Sequence, residues 1–219
     1  MNDIDPTILL DWLAARSVAR GLPAPVADSG GFRVDTNSET EVRRWVFPRV
    51  SEGLVELGRT VTAPRHLLKL CGSAGQLMRI LPDRWRLQPA AYFMTATQDW
   101  VGQPLPAGYT LETSRIGAVI EAQVKSSAGG IAARGFAAEG AYVFIYDRIA
   151  TAPEHRRKGL GGAVMSALAA ARASPDKPQV LVATEQGHAL YRTLGWRTLS
   201  PYSTAAIAED IAPAAWKSR

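Results

Sequence analysis

The sequence has a single cysteine, Cys71, so it cannot close an internal disulfide, and a reducing, cytoplasmic setting is the expectation. It has no run of about 18 apolar residues, which excludes a membrane-spanning helix. Its first residues carry Asp3 and Asp5 and no basic stretch ahead of an apolar core, so they do not read as a secretory leader. It also lacks a stripe of one charge sign. Twenty-five basic against 20 acidic residues leave a net charge of +5, scattered except for His155-Arg156-Arg157-Lys158. No nucleic-acid module accompanies that short run, and modest basicity suits a small anionic ligand equally well.

What is present is the composition of a folded chain, with 47% hydrophobic and 21% charged residues over 219 positions. That length holds one large domain or two small ones. Gln98 to Gly108 carries Gly102, Pro104, Pro106 and Gly108 with little apolar patterning, and reads as a linker. It divides the chain into 1–103 and 104–219.

In the first part, an amphipathic helix runs through Ile8, Leu9, Trp12, Leu13 and Val18, capped by Asp5 and Pro6. A strand at Phe32–Asp35 follows. Ser38-Glu39-Thr40-Glu41 then predicts a helix carrying Val42, Trp45 and Val46, and another spans Ser51 to Gly58. His66–Cys71 reads as a strand, Ser73–Leu81 as a helix, and Trp85–Thr95 as one or two strands around Pro89.

The second part alternates more plainly. Tyr109–Ser114, Ala118–Lys125, Ile131–Ala137 and Tyr142–Thr151 read as four strands with hairpin connections. A helix follows with an apolar stripe of Leu160, Val164, Ala167, Leu168 and Ala171. Then come a strand at Gln179–Ala183, a helix at Glu185–Leu194 stopped by Gly195, and a strand from Trp196 onward.

Thr151 to Gly162 therefore joins a strand to a helix. The first turn of a helix leaves backbone N–H groups without internal partners and, with the helix dipole, favours an anion. Gly159, Gly161 and Gly162 remove Cβ atoms that would hold a diphosphate away, and Arg157 and Lys158 add positive charge. A P-loop would place its lysine after the second glycine, and a dinucleotide fingerprint would need a small residue where Val164 stands. Neither fits.

Arg156-x-x-Gly159-x-Gly161 resembles the R/Q-x-x-G-x-G/A signature of the GNAT N-acetyltransferase superfamily, and Leu190-Tyr191-Arg192-Thr193-Leu194-Gly195-Trp196 resembles its L-Y-x-x-x-G-F element. The resemblance covers about Leu105 to Pro201. It implies an α/β fold with a mixed, mostly antiparallel twisted sheet flanked by helices, alongside a smaller α/β N-terminal domain. It further implies an acetyl-CoA-dependent N-acetyltransferase acting on a primary amine of a small molecule or peptide, with no metal. By the same resemblance, the diphosphate is held at Arg156, Arg157, Lys158, Gly159, Leu160, Gly161 and Gly162. The pantetheine pairs with Ile149, Ala150 and Thr151, along a strand whose bulge opens a cleft. Tyr191 matches the tyrosine that often acts as general acid toward the departing thiolate, a role consistent with a phenol near about 10 beside a thiol near about 8.5.

For a general base, period-2 alternation places Asp147 on one face with Ile149 and Thr151. Pairing with Arg148 or Arg134 is its alternative fate, Glu185 is the second candidate, and the resemblance also allows a relay through water with no dedicated carboxylate. His155 and His188 are read as solvent-facing, and Trp12, Trp45, Trp85 and Trp100 as core or interface.

Two departures from the family pattern stand out. Thr184 occupies the place of an asparagine and keeps a hydroxyl for the pantetheine. The helices that usually wall the acceptor between the first two strands are missing, because only Ser114 to Gly117 separates them. Either the N-terminal part supplies that wall, or the chain is a CoA-binding sensor without turnover. Leu68–Arg79 echoes Val180–Tyr191, which suggests a degenerate related half that binds no cofactor. The apolar strand after Trp196 offers an edge for a homodimer.

Overall fold

The computed structural model describes residues 4–96 and 104–207. The division expected at residue 103, and Trp100, lie outside the described residues.

Helix α1 (Pro6–Ala19) starts as its sequence dictates: the Asp5 carboxylate accepts the Thr7 N–H, and Pro6 fills the first turn. Strands β1 (Val26–Asp28), β2 (Gly31–Asp35) and β3 (Arg43–Phe47) form a meander. The helix expected from Ser38 onward is therefore strand β3. Its Ser-x-x-Glu signature is used in the β2–β3 connection, where the Ser38 N–H donates to the Glu41 carbonyl and the Glu41 N–H to the Ser38 hydroxyl. Arg44 through Phe47 are all buried, so β3 lies between two strands with both faces covered and lacks the alternation that identifies a half-buried strand.

Helix α2 (Glu52–Thr60) leads to β4 (His66–Cys71), parallel to β3. Helix α3 (Ala74–Ile80) and strands β5 (Trp85–Leu87) and β6 (Ala91–Ala96) complete this part. Beyond residue 103 come β7 (Tyr109–Ile116), β8 (Val119–Ser126), β9 (Ile131–Glu139) and β10 (Phe144–Thr151), all antiparallel in sequence. A 3-10 turn at Pro153–His155 precedes α4 (Leu160–Ala170). Then follow β11 (Gln179–Thr184), parallel to β10, helix α5 (Glu185–Thr193), and β12 (Arg197–Ile207).

The twelve strands make one mixed, mostly antiparallel sheet in the order β1-β2-β3-β4-β12-β6-β11-β10-β9-β8-β7, with β5 also on β12. The order is nearly symmetric about its middle. Each part has a parallel pair, β3–β4 or β10–β11, linked through a helix and followed by another. Each gives its last strand to the other: β6 pairs with β11, and β12 with β4. The echoing segments Leu68–Arg79 and Val180–Tyr191 are equivalent β4–α3 and β11–α5 units. Ser73 and Thr184 cap their helices alike, accepting the N–H three residues on.

β12 pairs within the chain with β6, β4 and β5, so the strand expected to join subunits is used intramolecularly. On one face, α4 buries Leu160, Val164, Met165 and Leu168 with Phe144, Tyr146, Tyr191 and Trp196. On the other, α1 buries Leu9, Trp12 and Leu13 against Phe93, Val143, Ile145 and Val180. Burying each such side chain is worth about 1.5–3 kcal/mol before entropy is subtracted, enough to dock α1 firmly on the β9–β10 face.

Candidate active site

β10 pairs with β9 in register from Phe144↔Glu139 to Asp147↔Phe136, and then resumes at Ala150↔Arg134. Three steps on β10 against two on β9 make a β-bulge, and Arg148 takes a left-handed φ of 54° within it. Toward β11, only Phe144↔Gln179 and Ile145↔Val180 pair, whereas β11 stays bonded to β6 as far as Thr184. The two strands splay beyond Ile145. A cleft of about 280 Å³ opens there, reaching from Arg16 and Arg20 on α1, past Arg148 and Ile149, to Thr184 and Tyr191.

The bulge also reverses the expected faces. Asp147 points toward α1, whereas Ile149 faces α4: a Cβ on Gly135 would lie 2.3 Å from Ile149 Cδ1 and 2.7 Å from Val164. Thr151 is on the α4 side too, its hydroxyl 3.5 Å from where a Gly161 Cβ would stand. Asp147 therefore does not share a face with Ile149 and Thr151, because one inserted residue shifts a period of two by half.

The Asp147 side chain is 9% exposed. Arg20 donates to it twice, Nε at 2.6 Å and Nη2 at 2.8 Å, with Arg16 Nε at 3.6 Å and Arg148 Nε at 3.4 Å. Of the two partners expected from sequence, Arg148 is there, while Arg134 pairs with Glu121 instead. Glu185 accepts a 2.6 Å hydrogen bond from Tyr92, and so is held at β6. That bond to Glu185 raises the Tyr92 phenol above its ordinary value. His188 stacks on the Tyr92 ring at 3.8 Å and contacts Thr198, and His155 bonds the Tyr109 hydroxyl at 2.9 Å. Both histidines are partly exposed and engaged by neighbours, and neither lines the cleft. Trp12, Trp45 and Trp85 are core residues, though Trp12 also reaches the cleft.

Tyr191 reaches the cleft from α5. Its ring is 91% buried beside Trp196, burial pushes the phenol up to about 12, and its hydroxyl has no hydrogen-bond partner among the described residues.

A second cavity, of about 460 Å³, is lined by Thr151, Arg156, Arg157, Gly159 and Leu190. Gly159 has φ 76° and caps α4 with no side-chain hydrogen bond, so the amides of Leu160, Gly161 and Gly162 are not capped by side chains. The helix starts at Leu160, after Arg157 (φ 62°) and Gly159 have turned the chain. Arg156 Nε donates to the Thr151 carbonyl at 3.4 Å, and Lys158 Nζ bonds the Tyr109 hydroxyl at 3.0 Å. Strand β10 and helix α5 connect the two cavities: Ile149 and Tyr191 line one, Thr151 and Leu190 the other.

The equivalent place in the N-terminal part is closed. β3 and β4 pair without a shift from Arg43↔His66 to Phe47↔Leu70. The start of α2 is capped by Ser51 and covered by the β1–β2 turn, where a Cβ on Gly53 would sit 1.9 Å from the Ser29 carbonyl oxygen.

Arg16 and Arg20 were not singled out in the sequence. Their signal was the i, i+4, i+8 spacing of Trp12, Arg16 and Arg20, which puts all three on one stripe of α1. Among the described residues, no three His, Cys, Asp or Glu side chains gather as a metal site, and no helix is long and apolar enough to cross a membrane.

Residues 115–198 match the family model described as an acetyltransferase (GNAT) domain. No curated protein matches the sequence. Among solved structures, a GCN5-related N-acetyltransferase from Kribbella flavida aligns with a TM-score of 0.65 at 14% identity, over 95% of this chain and 97% of that one. An acetyltransferase of the GNAT family from Novosphingobium aromaticivorans aligns at 0.55 and 16%, over 92% and 97%. A tandem GNAT protein from the clavulanic acid biosynthesis pathway aligns at 0.53 and 14%, over 95% and 96%. At these identities the likeness is one of fold.

Proposed function

From a chain whose residues 115–198 are a GNAT acetyltransferase domain, we propose an acetyl-CoA-dependent N-acetyltransferase that acts on a primary amine in a ternary complex. The observation that carries this reading is the splay of β10 from β11, which leaves a cleft running from the uncapped start of α4 to Tyr191. The site fits the cosubstrate. Gly159 leaves open space around its Cβ position, and the Leu160–Gly162 amides with Arg156, Arg157 and Lys158 suit a diphosphate. The open edge of β10 at Ile149, Ala150 and Thr151, with the Thr184 hydroxyl, suits the pantetheine amides. Among the described residues the other half has no such place, being zipped and capped.

Bound acetyl-CoA supplies an acetyl group already activated as a thioester. The amine nitrogen forms a bond to the acetyl carbon as the carbon–sulfur bond breaks, the nitrogen loses a proton, and the sulfur gains one. Tyr191, protonated at neutral pH, donates a hydrogen bond to the leaving sulfur. Both Asp147 oxygens are taken by Arg20 and Glu185 is taken by Tyr92, so the amine proton leaves through water in the cleft. Helix α1 holds the amine for attack, and alignment supplies much of the acceleration.

The sensor reading drew on the missing acceptor wall. β7 and β8 do meet in a tight hairpin at Ile116↔Val119, but Trp12, Arg16 and Arg20 of α1 line the cleft, which supports the reading that the N-terminal part walls the acceptor. Calorimetry with coenzyme A and thiol release from acetyl-CoA against an amine panel test the proposal. Heat on mixing and release with at least one amine are expected. Binding without release would favour the sensor, and no binding would end both readings.

A further inference from the structure

Among the described residues, the charged groups that line the cleft come from two elements. Helix α1 contributes Arg16 and Arg20, and β10 contributes Asp147 and Arg148. Three guanidinium groups against one carboxylate leave the lining two positive charges in excess. These groups do not neutralise each other equally. Arg20 is spent on both oxygens of Asp147, and Arg148 donates to the Ala19 carbonyl at 2.5 Å while stacking on Phe136 at 3.9 Å. Arg16 is different. Its Nε reaches Asp147 only at 3.6 Å, its guanidinium lies 5.6 Å from the Trp12 ring, and it makes no hydrogen bond among the described residues. Its side chain is 20% exposed and lines the cleft, so donors left free by Asp147 face the cavity. An enclosed guanidinium with open donors beside a cavity is a socket for an oxyanion, since its planar array of N–H groups matches a carboxylate or phosphate edge.

Resting on the acetyltransferase reading above, we infer that the acceptor is an amine that also carries an anionic group, a carboxylate or a phosphate, which docks on Arg16. Asp147 then acts as a positioning residue. It orients Arg20 and Arg16, and is not the base. The arrangement has a chemical benefit: a net positive cleft disfavours the ammonium form of the incoming amine while its anionic group supplies the attraction, so the neutral nucleophile is favoured where it must react. It also explains why the wall helix is basic where it meets the cleft and apolar where it meets the sheet.

The test compares matched acceptors: amino acids against their amides and their decarboxylated amines, with phosphorylated amines as a parallel arm. Thiol release from acetyl-CoA should show kcat/KM about tenfold to a hundredfold higher for the anionic member of a pair, the range of one charge-assisted hydrogen-bonded contact. Whichever anionic arm wins identifies the group. Arg16→Gln should raise KM for anionic acceptors by a similar factor with little change in kcat, and Arg16→Lys, which keeps the charge but not the planar fork, should recover only part of that loss. Equal turnover of neutral and anionic acceptors would overturn the inference and leave the acetyltransferase intact. Without cofactor, NMR titration of the wild-type protein should show amide shifts around Arg16 and Arg148 with the anionic amine and not with its amide. Those shifts in a protein that binds no coenzyme A would instead overturn the acetyltransferase and keep the socket; their absence would remove the socket even if Arg16→Gln failed to fold.

Discussion

Arg20, at the C-terminal cap of α1, donates to both oxygens of Asp147 on β10, at 2.6 and 2.8 Å, joining residues 127 positions apart. The contact falls where β10 bulges and parts from β11, so one ion pair fixes the N-terminal helix across the mouth of the splayed strands. It is bidentate, and its carboxylate is nearly buried. Both features make it stronger than a surface pair and costly to leave half made.

Asp147→Asn is therefore expected to destabilise the protein by about 1.5–3 kcal/mol, the scale of a hydrogen bond to a charged group. It should raise the acceptor KM through a loosened Arg16 and Arg20. The shape of the kcat/KM profile against pH should stay as in wild type. A profile that lost its acidic limb, with kcat reduced by about 10²-fold or more, would make Asp147 the base after all.

Near its middle, α1 is tied by Asp11, whose carboxylate accepts the N–H groups of Ala141, Tyr142 and Val143 at 2.8, 2.7 and 2.9 Å. Asp11→Ala should cost about 1–2 kcal/mol, because part of this exposed contact is replaced by water. Gly140→Ala should act similarly, since its Cβ would lie 2.3 Å from Asp11 Oδ2. Urea denaturation measures the loss. Calorimetry should find coenzyme A affinity unchanged, because α4 begins on the other face.

Tyr191→Phe should lower kcat by about tenfold to a hundredfold while leaving binding of coenzyme A intact. Stability against pH gives a second reading. Burial holds the folded phenol at about 12 against about 10 in the unfolded chain, so the unfolded state ionises first. Wild-type stability should fall as pH rises from about 10 to 12, and Tyr191→Phe should lessen that fall without removing it, because burial raises Cys71 and Tyr202 as well.

Lys69 works in the opposite sense. Burial pulls its ammonium down to about 8, aided by Arg16 and Arg20 and opposed by Glu41. Between about 8 and 10.4 the unfolded chain keeps a proton that the folded chain has released, so stability should rise with pH there. Thermal melts across that range should lose the rise in Lys69→Met.

What the chain order alone determined is whatever depends on near neighbours. Asp5-Pro6, Ser51, Ser73 and Thr184 begin helices, because a cap is settled within three residues. The glycine turn at Arg156–Gly162 was readable for the same reason. The Ser38–Glu41 signature misled because the same side-chain bonds can close a strand connection, and only the strands on either side of Trp45 decide which. A bulge in β10 was implied by the resemblance, but its effect on the faces was not: one residue left unpaired by β9 turns Ile149 and Thr151 onto the α4 face while Asp147 keeps the α1 face of Ile145. Tertiary structure decided the rest. The exchange of β6 and β12 between halves, and the docking of α1 over the cleft, join segments far apart in sequence. Their free energy comes from buried faces and backbone pairing that exist only once both partners are in place.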